Sequence, residues 1–230
     1  MSTKPQQKVL VVDDEDDIRE LLQYNLKKEG YDVETAPDGF KAVEIARKFQ
    51  PNLILLDIMM PKQDGVETCR QLRDLPELHE SFIVFLTARV EEYSEIAAFE
   101  TGADDYITKP IKPRALMSRI NAMFRRESKK KNTTDKISIG NLMIDRSSYT
   151  VTIDGSQLTL PKKEFELLYF LAQNPGKVYS RDDLLASIWG ADVYVLARTV
   201  DVHIRKVREK IGDGYIATVK GVGYKFELSN

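Results

Sequence analysis

The chain reads as an α/β domain with a doubly wound parallel sheet, followed by a smaller α+β domain of helices and antiparallel strands. Three observations predict this. Apolar runs in the first half each end in a polar residue, helical patterns separate them, and past residue 136 the pattern changes to short alternating runs broken by turns.

The runs VLVVDDE at 9–15 and NLILLDIMMP at 52–61 are near-continuous apolar stretches that end in carboxylates, the signature of parallel strands buried on both faces. Ile18, Leu21, Leu22 and Leu26 follow the first run at helical spacing, which makes a βα repeat. FIVFLTAR at 82–89 and DDYITKP at 104–110 read as further strands, ending at Thr87 and Lys109. In an open α/β sheet, ligands bind in the crevice beyond the carboxyl ends of the strands. Asp13, Asp14, Asp57, Thr87 and Lys109 are therefore expected on one rim.

Three carboxylates on one rim repel unless a cation sits among them. Mg2+ suits hard oxygen ligands and is commonly completed by substrate phosphate. Asp57 is then placed as a nucleophile toward a phosphoryl donor, Thr87 as a hydroxyl donor to a phosphoryl oxygen, and Lys109 as a neutralising charge. Taken singly, each feature has a plainer explanation. A carboxylate or threonine after a strand is often a helix cap, and Lys109-Pro110 reads as an ordinary loop or as a place for a cis peptide. Their joint order on successive strand ends favours the chemical reading.

Length and composition agree with two cores. At 230 residues, with 42% hydrophobic and 30% charged residues, the chain accommodates two globular domains. Cys69 is the single cysteine, sits in a helical pattern, and allows no intramolecular disulfide, which suits a reducing compartment. MSTKPQQK carries no apolar signal region and no stretch approaches 18 apolar residues, so a soluble cytoplasmic protein with no membrane partner is expected. The net charge of −2 hides an asymmetry: residues 1–124 are acidic, with 16 basic against 23 acidic side chains, and basic charge begins at the join. RRESKKKNTTD at 125–135 reads as the end of a helix running into a flexible linker.

From Ile137 to Leu160, Gly140-Asn141, Arg146-Ser147-Ser148 and Asp154-Gly155 break alternating runs into a small antiparallel sheet, the last pair being a strong hairpin signal. Helical patterns follow at 162–173 and 181–189, the second opened by Ser180 with Asp183 three residues on, as in a capping box. A third helix at 198–210 precedes a final hairpin at 215–228. On that helix Val200, Ile204, Val207 and Ile211 form an inward stripe. Thr199, Val202, His203, Lys206 and Lys210 fall opposite it, flanked by Arg205 and Arg208. A basic face is often merely solvated. As the last helix of a three-helix unit before a Gly-rich hairpin bearing Lys220, it instead suits the major groove of DNA, with the hairpin on the minor groove or backbone. His203 is expected at the groove rather than in the core; Trp189 is left between core and DNA backbone.

VVDDE, LLDIMMPKQDG, FLTA and GADDYITKP give residues 8–126 the resemblance of a two-component receiver domain with strand order 2-1-3-4-5. SRDDLLASIW, ARTVDVHIRKVREKIG and TVKGVGYKF make 136–230 similar to the winged helix-turn-helix domain of the OmpR/PhoB subfamily. The domains implied are a receiver at 1–126, a linker at 127–135 and a winged-helix domain at 136–230. The resemblance implies that Asp14 and Asp57 hold Mg2+ with Asp13 assisting and the Met59 backbone carbonyl as a further ligand, that a sensor histidine kinase phosphorylates Asp57, and that Thr87 and Tyr106 form a switch pair. It implies DNA contacts from Arg198, Thr199, Val202, His203, Arg205, Lys206, Arg208 and Lys220, the last standing where the subfamily often has Arg. It also implies a phosphorylation-stabilised homodimer on tandem half-sites, with RNA polymerase as a further partner. Its receiver interface would use the fourth helix, fifth strand and fifth helix, drawing on Ile96, Phe99, Leu116 and Met117 with Asp104, Asp105, Arg119 and Arg126.

The receiver segment departs from its family's pattern at Lys62-Gln63, which replace a Gly-containing loop, and at Ile111, which stands where an aromatic is usual. Three rival readings are set against this one. An aspartyl-phosphate hydrolase of the haloacid-dehalogenase kind wants an Asp where Met59 stands; a phosphate-independent regulator conflicts with the intact Asp57, Thr87 and Lys109; and a protein-binding C-terminal module would lack DNA binding that weakens with salt.

Overall fold

The structure is a computed structural model and describes residues 6–88, 101–129 (side chains to 124), 136–190 and 197–227. Contacts divide the chain between Thr133 and Thr134 into two units.

In the first unit, β1 (Lys8–Val12), β2 (Asp32–Ala36), β3 (Leu53–Asp57), β4 (Phe82–Thr87) and β5 (Asp105–Thr108) form one parallel sheet in the order β2-β1-β3-β4-β5. The expected fold class holds. Every residue of β3 and β4 is buried, which accounts for their unbroken apolar runs. Among the described residues the α-helices of this unit are α1 (Asp16–Lys28), α2 (Gly39–Phe49), α3 (Gly65–Arg73) and, at the end of the unit, α4 (Pro113–Lys129). Side-chain caps set two of these starts: Asp38 accepts from the Lys41 amide at 2.9 Å and Asp64 from the Glu67 amide at 2.8 Å. Helix α4 reaches Lys129, so the first positions assigned to the linker are helical. Tyr31, Phe82 and Phe124 cluster at its inner face, and the Tyr31 hydroxyl donates to Asn121 at 2.7 Å.

A buried polar hub closes the far side of this unit. Arg73, at the end of α3, donates to the carbonyls of Gly102 (2.8 Å) and Ser81 (2.8 Å) and pairs with Asp104 at 2.5 Å. The same Asp104 oxygen accepts from the Ile83 amide at 2.7 Å. Asp104 was expected at a dimer interface; instead it is 1% exposed and committed to its own domain. Leu116 and Met117 are likewise buried in the receiver core beside Ile107 and Ile120, so they supply little surface to a partner. Asp105 is buried as well. Ile96 and Phe99 lie outside the described residues, as does the side chain of Arg126.

The second unit opens with β6 (Lys136–Ile139), β7 (Leu142–Asp145), β8 (Thr150–Ile153) and β9 (Ser156–Thr159) as an antiparallel meander. Asp154 and Gly155 both adopt positive φ (50° and 79°), as the two-residue hairpin requires. Helices α5 (Lys162–Ala172), α6 (Arg181–Ile188) and α7 (Arg198–Ile211) follow, and β10 (Tyr179–Ser180), β11 (Ile216–Val219) and β12 (Gly223–Phe226) form a second sheet in the order β10-β12-β11. The capping box of Ser180 and Asp183 is formed. Gly223 sits where any Cβ would collide with the Tyr179 carbonyl, so glycine lets β12 meet β10.

Candidate functional site

Parallel register brings the expected groups to one rim. Val12 pairs with Leu56 and Leu56 with Phe85, so Asp13, Asp57 and Thr87 end three adjacent strands. Carboxylate oxygens of Asp13, Asp14 and Asp57 lie within 4.8 Å of one another, with Asp13 and Asp57 buried and Asp14 exposed. Lys109 reaches in from the loop after β5, its Nζ 2.9 Å from Asp13, 3.1 Å from Asp57 and 3.4 Å from Glu15. The Lys109–Pro110 bond is cis, and the Lys109 amide donates to the Thr87 carbonyl at 2.6 Å. Gly65, at the start of α3, packs on the Asp57 carbonyl so closely that a Cβ there would overlap it.

The electrostatics follow from this geometry. Burial, reinforced by the charge of Asp13, pushes the Asp57 carboxyl above its ordinary range, while Lys109 and the Met59 amide pull the other way. Burial acts to lower the Lys109 ammonium, but the two carboxylates outweigh it, and its pKa lies well above the usual range. Lys109 thus remains a cation among the acids. Hard oxygen ligands on a partly open rim fit a Mg2+ ion that keeps several waters.

Around the rim, Thr87 is buried and Tyr106 is 8% exposed, and Arg119 donates to the Tyr106 backbone carbonyl at 3.1 Å. Met59 is exposed. Lys62 adopts positive φ (68°) and its ammonium pairs with Asp38, the cap of α2, at 3.0 Å, so the unusual Lys62-Gln63 loop is tied to the neighbouring helix. Gln63 is buried and donates to Thr68 at 3.0 Å. Cys69 is fully buried in α3, in keeping with a structural role.

In the second unit the last helix corrects the sequence reading. The stripe of Val200, Ile204, Val207 and Ile211 is buried as expected, but Thr199, Val202 and His203 are buried too. His203 is 2% exposed, packs edge-on to Trp189 at 4.9 Å, and its Nδ1 lies 2.9 Å from the Thr199 carbonyl. A second neighbour, Trp189 at the end of α6, covers the face that periodicity alone left open. Lys210 is held by buried Glu164 at 2.7 Å. Arg208 donates to the Ile216 carbonyl (3.1 and 2.7 Å) and to Thr218 (2.8 Å), which ties α7 to β11. Arg198 and Arg205 are exposed on α7, Lys206 is half-buried, and Lys220 is exposed at the tip of the β11–β12 hairpin.

Known proteins match this architecture throughout. Residues 9–121 fit the response regulator receiver domain, and residues 155–226 fit the C-terminal domain of transcriptional regulatory proteins. The alkaline phosphatase synthesis transcriptional regulatory protein PhoP of Bacillus subtilis is 45% identical, with 96% of each chain covered. The chain belongs to the OmpR/PhoB-type response regulators. Among solved structures, DrrB of Thermotoga maritima, an OmpR/PhoB homologue, is 35% identical over 96% of this chain and 99% of its own, with a TM-score of 0.51. A RitR mutant is 30% identical over 97% and 100%, with a TM-score of 0.78. As a response regulator, the protein joins a receiver to a DNA-binding domain and regulates transcription upon phosphorylation. The family implies a histidine kinase as the phosphoryl source. Among the described residues no helix is long and apolar enough to cross a membrane.

Proposed function

We propose that Asp57 is the phosphoacceptor and that the receiver catalyses its own phosphorylation with Mg2+ held by Asp13, Asp14, Asp57 and the Met59 backbone carbonyl. The observation that carries this reading is the Lys109 ammonium lying between Asp13 and Asp57 at 2.9 and 3.1 Å, on the rim where Asp14 also lies. An Asp57 oxygen attacks phosphorus, the bond from phosphorus to the donor's leaving atom breaks, and the leaving group departs with the bonding pair. Bound Mg2+ supplies charge neutralisation at the transferring phosphoryl oxygens. Lys109 neutralises a further oxygen, and the Thr87 hydroxyl donates to another, with Tyr106 as its switch partner. Slow hydrolysis of the acyl phosphate resets the protein.

Metal binding has a direct readout in receiver stability. Mg2+ at 100 times its dissociation constant is expected to stabilise the receiver by about 2.7 kcal/mol. Asp14→Ala should abolish that gain in a melting experiment, whereas Lys109→Ala should keep it and fail in signalling. A gain retained by Asp14→Ala would remove Asp14 from the ligand set.

The phosphorylated protein is further read as a cytoplasmic homodimer on tandem DNA half-sites that engages RNA polymerase. Burial of Asp104, Leu116 and Met117 shifts the burden of any receiver interface to other groups, and sedimentation of the phosphorylated chain measures whether it pairs. Arg198, Arg205, Lys206 and Lys220 are read as the DNA contacts, because their basic side chains are exposed or half-buried on α7 and at the hairpin tip. Arg205 is 55% exposed and pairs with Glu209, one turn on, at 3.6 Å. Arg205→Ala is expected to weaken all duplexes alike and to flatten the salt dependence by about one unit. An unchanged slope would take Arg205 off the phosphate backbone.

A further inference from the structure

The hairpin that carries Lys220 is fastened to α7 by a compact polar cluster. Asp201, in the first turn of α7, accepts from the Tyr224 hydroxyl at 2.6 Å and from Arg181 Nε at 2.7 Å through the same oxygen. Tyr224 belongs to β12 and Arg181 opens α6, so one carboxylate joins three elements. Two guanidinium groups lie over the Tyr224 ring, that of Arg181 at 5.2 Å and that of Arg208 at 5.8 Å from its centroid. About two turns along α7 from Asp201, Arg208 grips the other strand of the hairpin at Ile216 and Thr218. Burial, and then the bond to Asp201, push the Tyr224 hydroxyl up to about 12, so it stays protonated and donates.

We propose that Asp201 and Tyr224, with Arg181 and Arg208, form a lock that fixes the wing on the recognition helix and so sets the spacing between two DNA contacts. This rests on the DNA-binding role of the domain. The four side chains act as positioning residues. A helix in one groove and a hairpin tip beside it must meet the duplex at a set separation, and a wing already held there loses less freedom on binding. Two ties at different points along α7 resist both swinging and sliding of the hairpin. The hydrophobic core alone supplies no such directionality, because apolar burial is non-directional.

Amide hydrogen exchange and DNA binding of the full chain test the lock together, using Tyr224→Phe, Asp201→Ala and the conservative Asp201→Asn. Tyr224→Phe and Asp201→Ala should speed exchange across 216–226 about tenfold or more, on the scale of one lost charge-assisted hydrogen bond, and leave α5 unchanged. Affinity for a duplex selected from random sequence should fall by a similar factor, with less change on a scrambled duplex. Asp201→Asn, which keeps an acceptor oxygen, should recover most of both effects. Unchanged wing exchange overturns the lock. Faster exchange with the selected-to-scrambled ratio preserved overturns its part in recognition. Wild-type protein that does not distinguish the two duplexes would defeat the DNA-binding role itself, and that result is seen before any variant is made.

Discussion

Asp57→Asn is expected to abolish phosphoryl uptake. With Mg2+ and acetyl phosphate, the wild-type chain should gain one phosphoryl group, released by hydroxylamine as an acyl phosphate is, and the variant none. The size of the effect follows from chemistry. The asparagine amide has the shape of the carboxylate but lacks its nucleophilicity and its charge toward a metal. Asp13 and Asp14 share the rim and Lys109 meets Asp13 as well as Asp57, but Asp57 is the acid whose backbone carbonyl is backed by Gly65. Intact-mass measurement checks the outcome, and undiminished uptake by the variant would move the acceptor elsewhere.

The largest loss of stability is expected at Arg73. Removing one partner of a buried ion pair leaves the other charge without compensation, at a cost of about 3–5 kcal/mol. Here Arg73→Met would take the guanidinium away from Asp104, 1% exposed, and from the carbonyls of Gly102 and Ser81. The receiver transition in calorimetry should fall by roughly 10–25 °C. Replacing both members, as Arg73→Met with Asp104→Asn, should recover part of that loss, since the amide carries no charge to strand. Equal losses in single and double variants would show that the carbonyl contacts, not the ion pair, dominate.

Neither Arg73 nor its partner was legible in the sequence. Arg73 reads as a basic residue in the last turn of a helix, and Asp104 as one of two acids before a strand; only the packing of α3 against the strand ends joins them. The rim was legible because a parallel strand converts position in sequence directly into position on an edge. Asp13, Asp57 and Thr87 each follow an apolar run by the same rule, and register did the rest. Helix α7 shows the limit of periodicity. Its four-residue stripe was found, but a helix packed on two sides buries more than one stripe, and Trp189, at the end of α6, covers His203. Arg208 was misplaced for a related reason. A basic side chain at the flank of a DNA-facing helix carries no sign of whether it reaches outward to phosphate or sideways to a neighbouring strand.

The capping box at Ser180, the Asp154-Gly155 hairpin and the buried Cys69 were readable because each depends on local geometry or on a single side chain's burial. Pairing between copies of the chain belongs to the other kind. Leu116 and Met117 were read as surface, whereas the helix that carries them turns them into its own core.

Phosphorylation of Asp57 is expected to control DNA binding. Affinity for a selected tandem-site duplex, measured at fixed salt with and without Mg2+ and acetyl phosphate, tests it most directly. Wild-type protein should bind more tightly after phosphorylation, and Asp57→Asn should bind equally under both conditions. Wild-type affinity that stays the same at full phosphoryl occupancy would contradict the account.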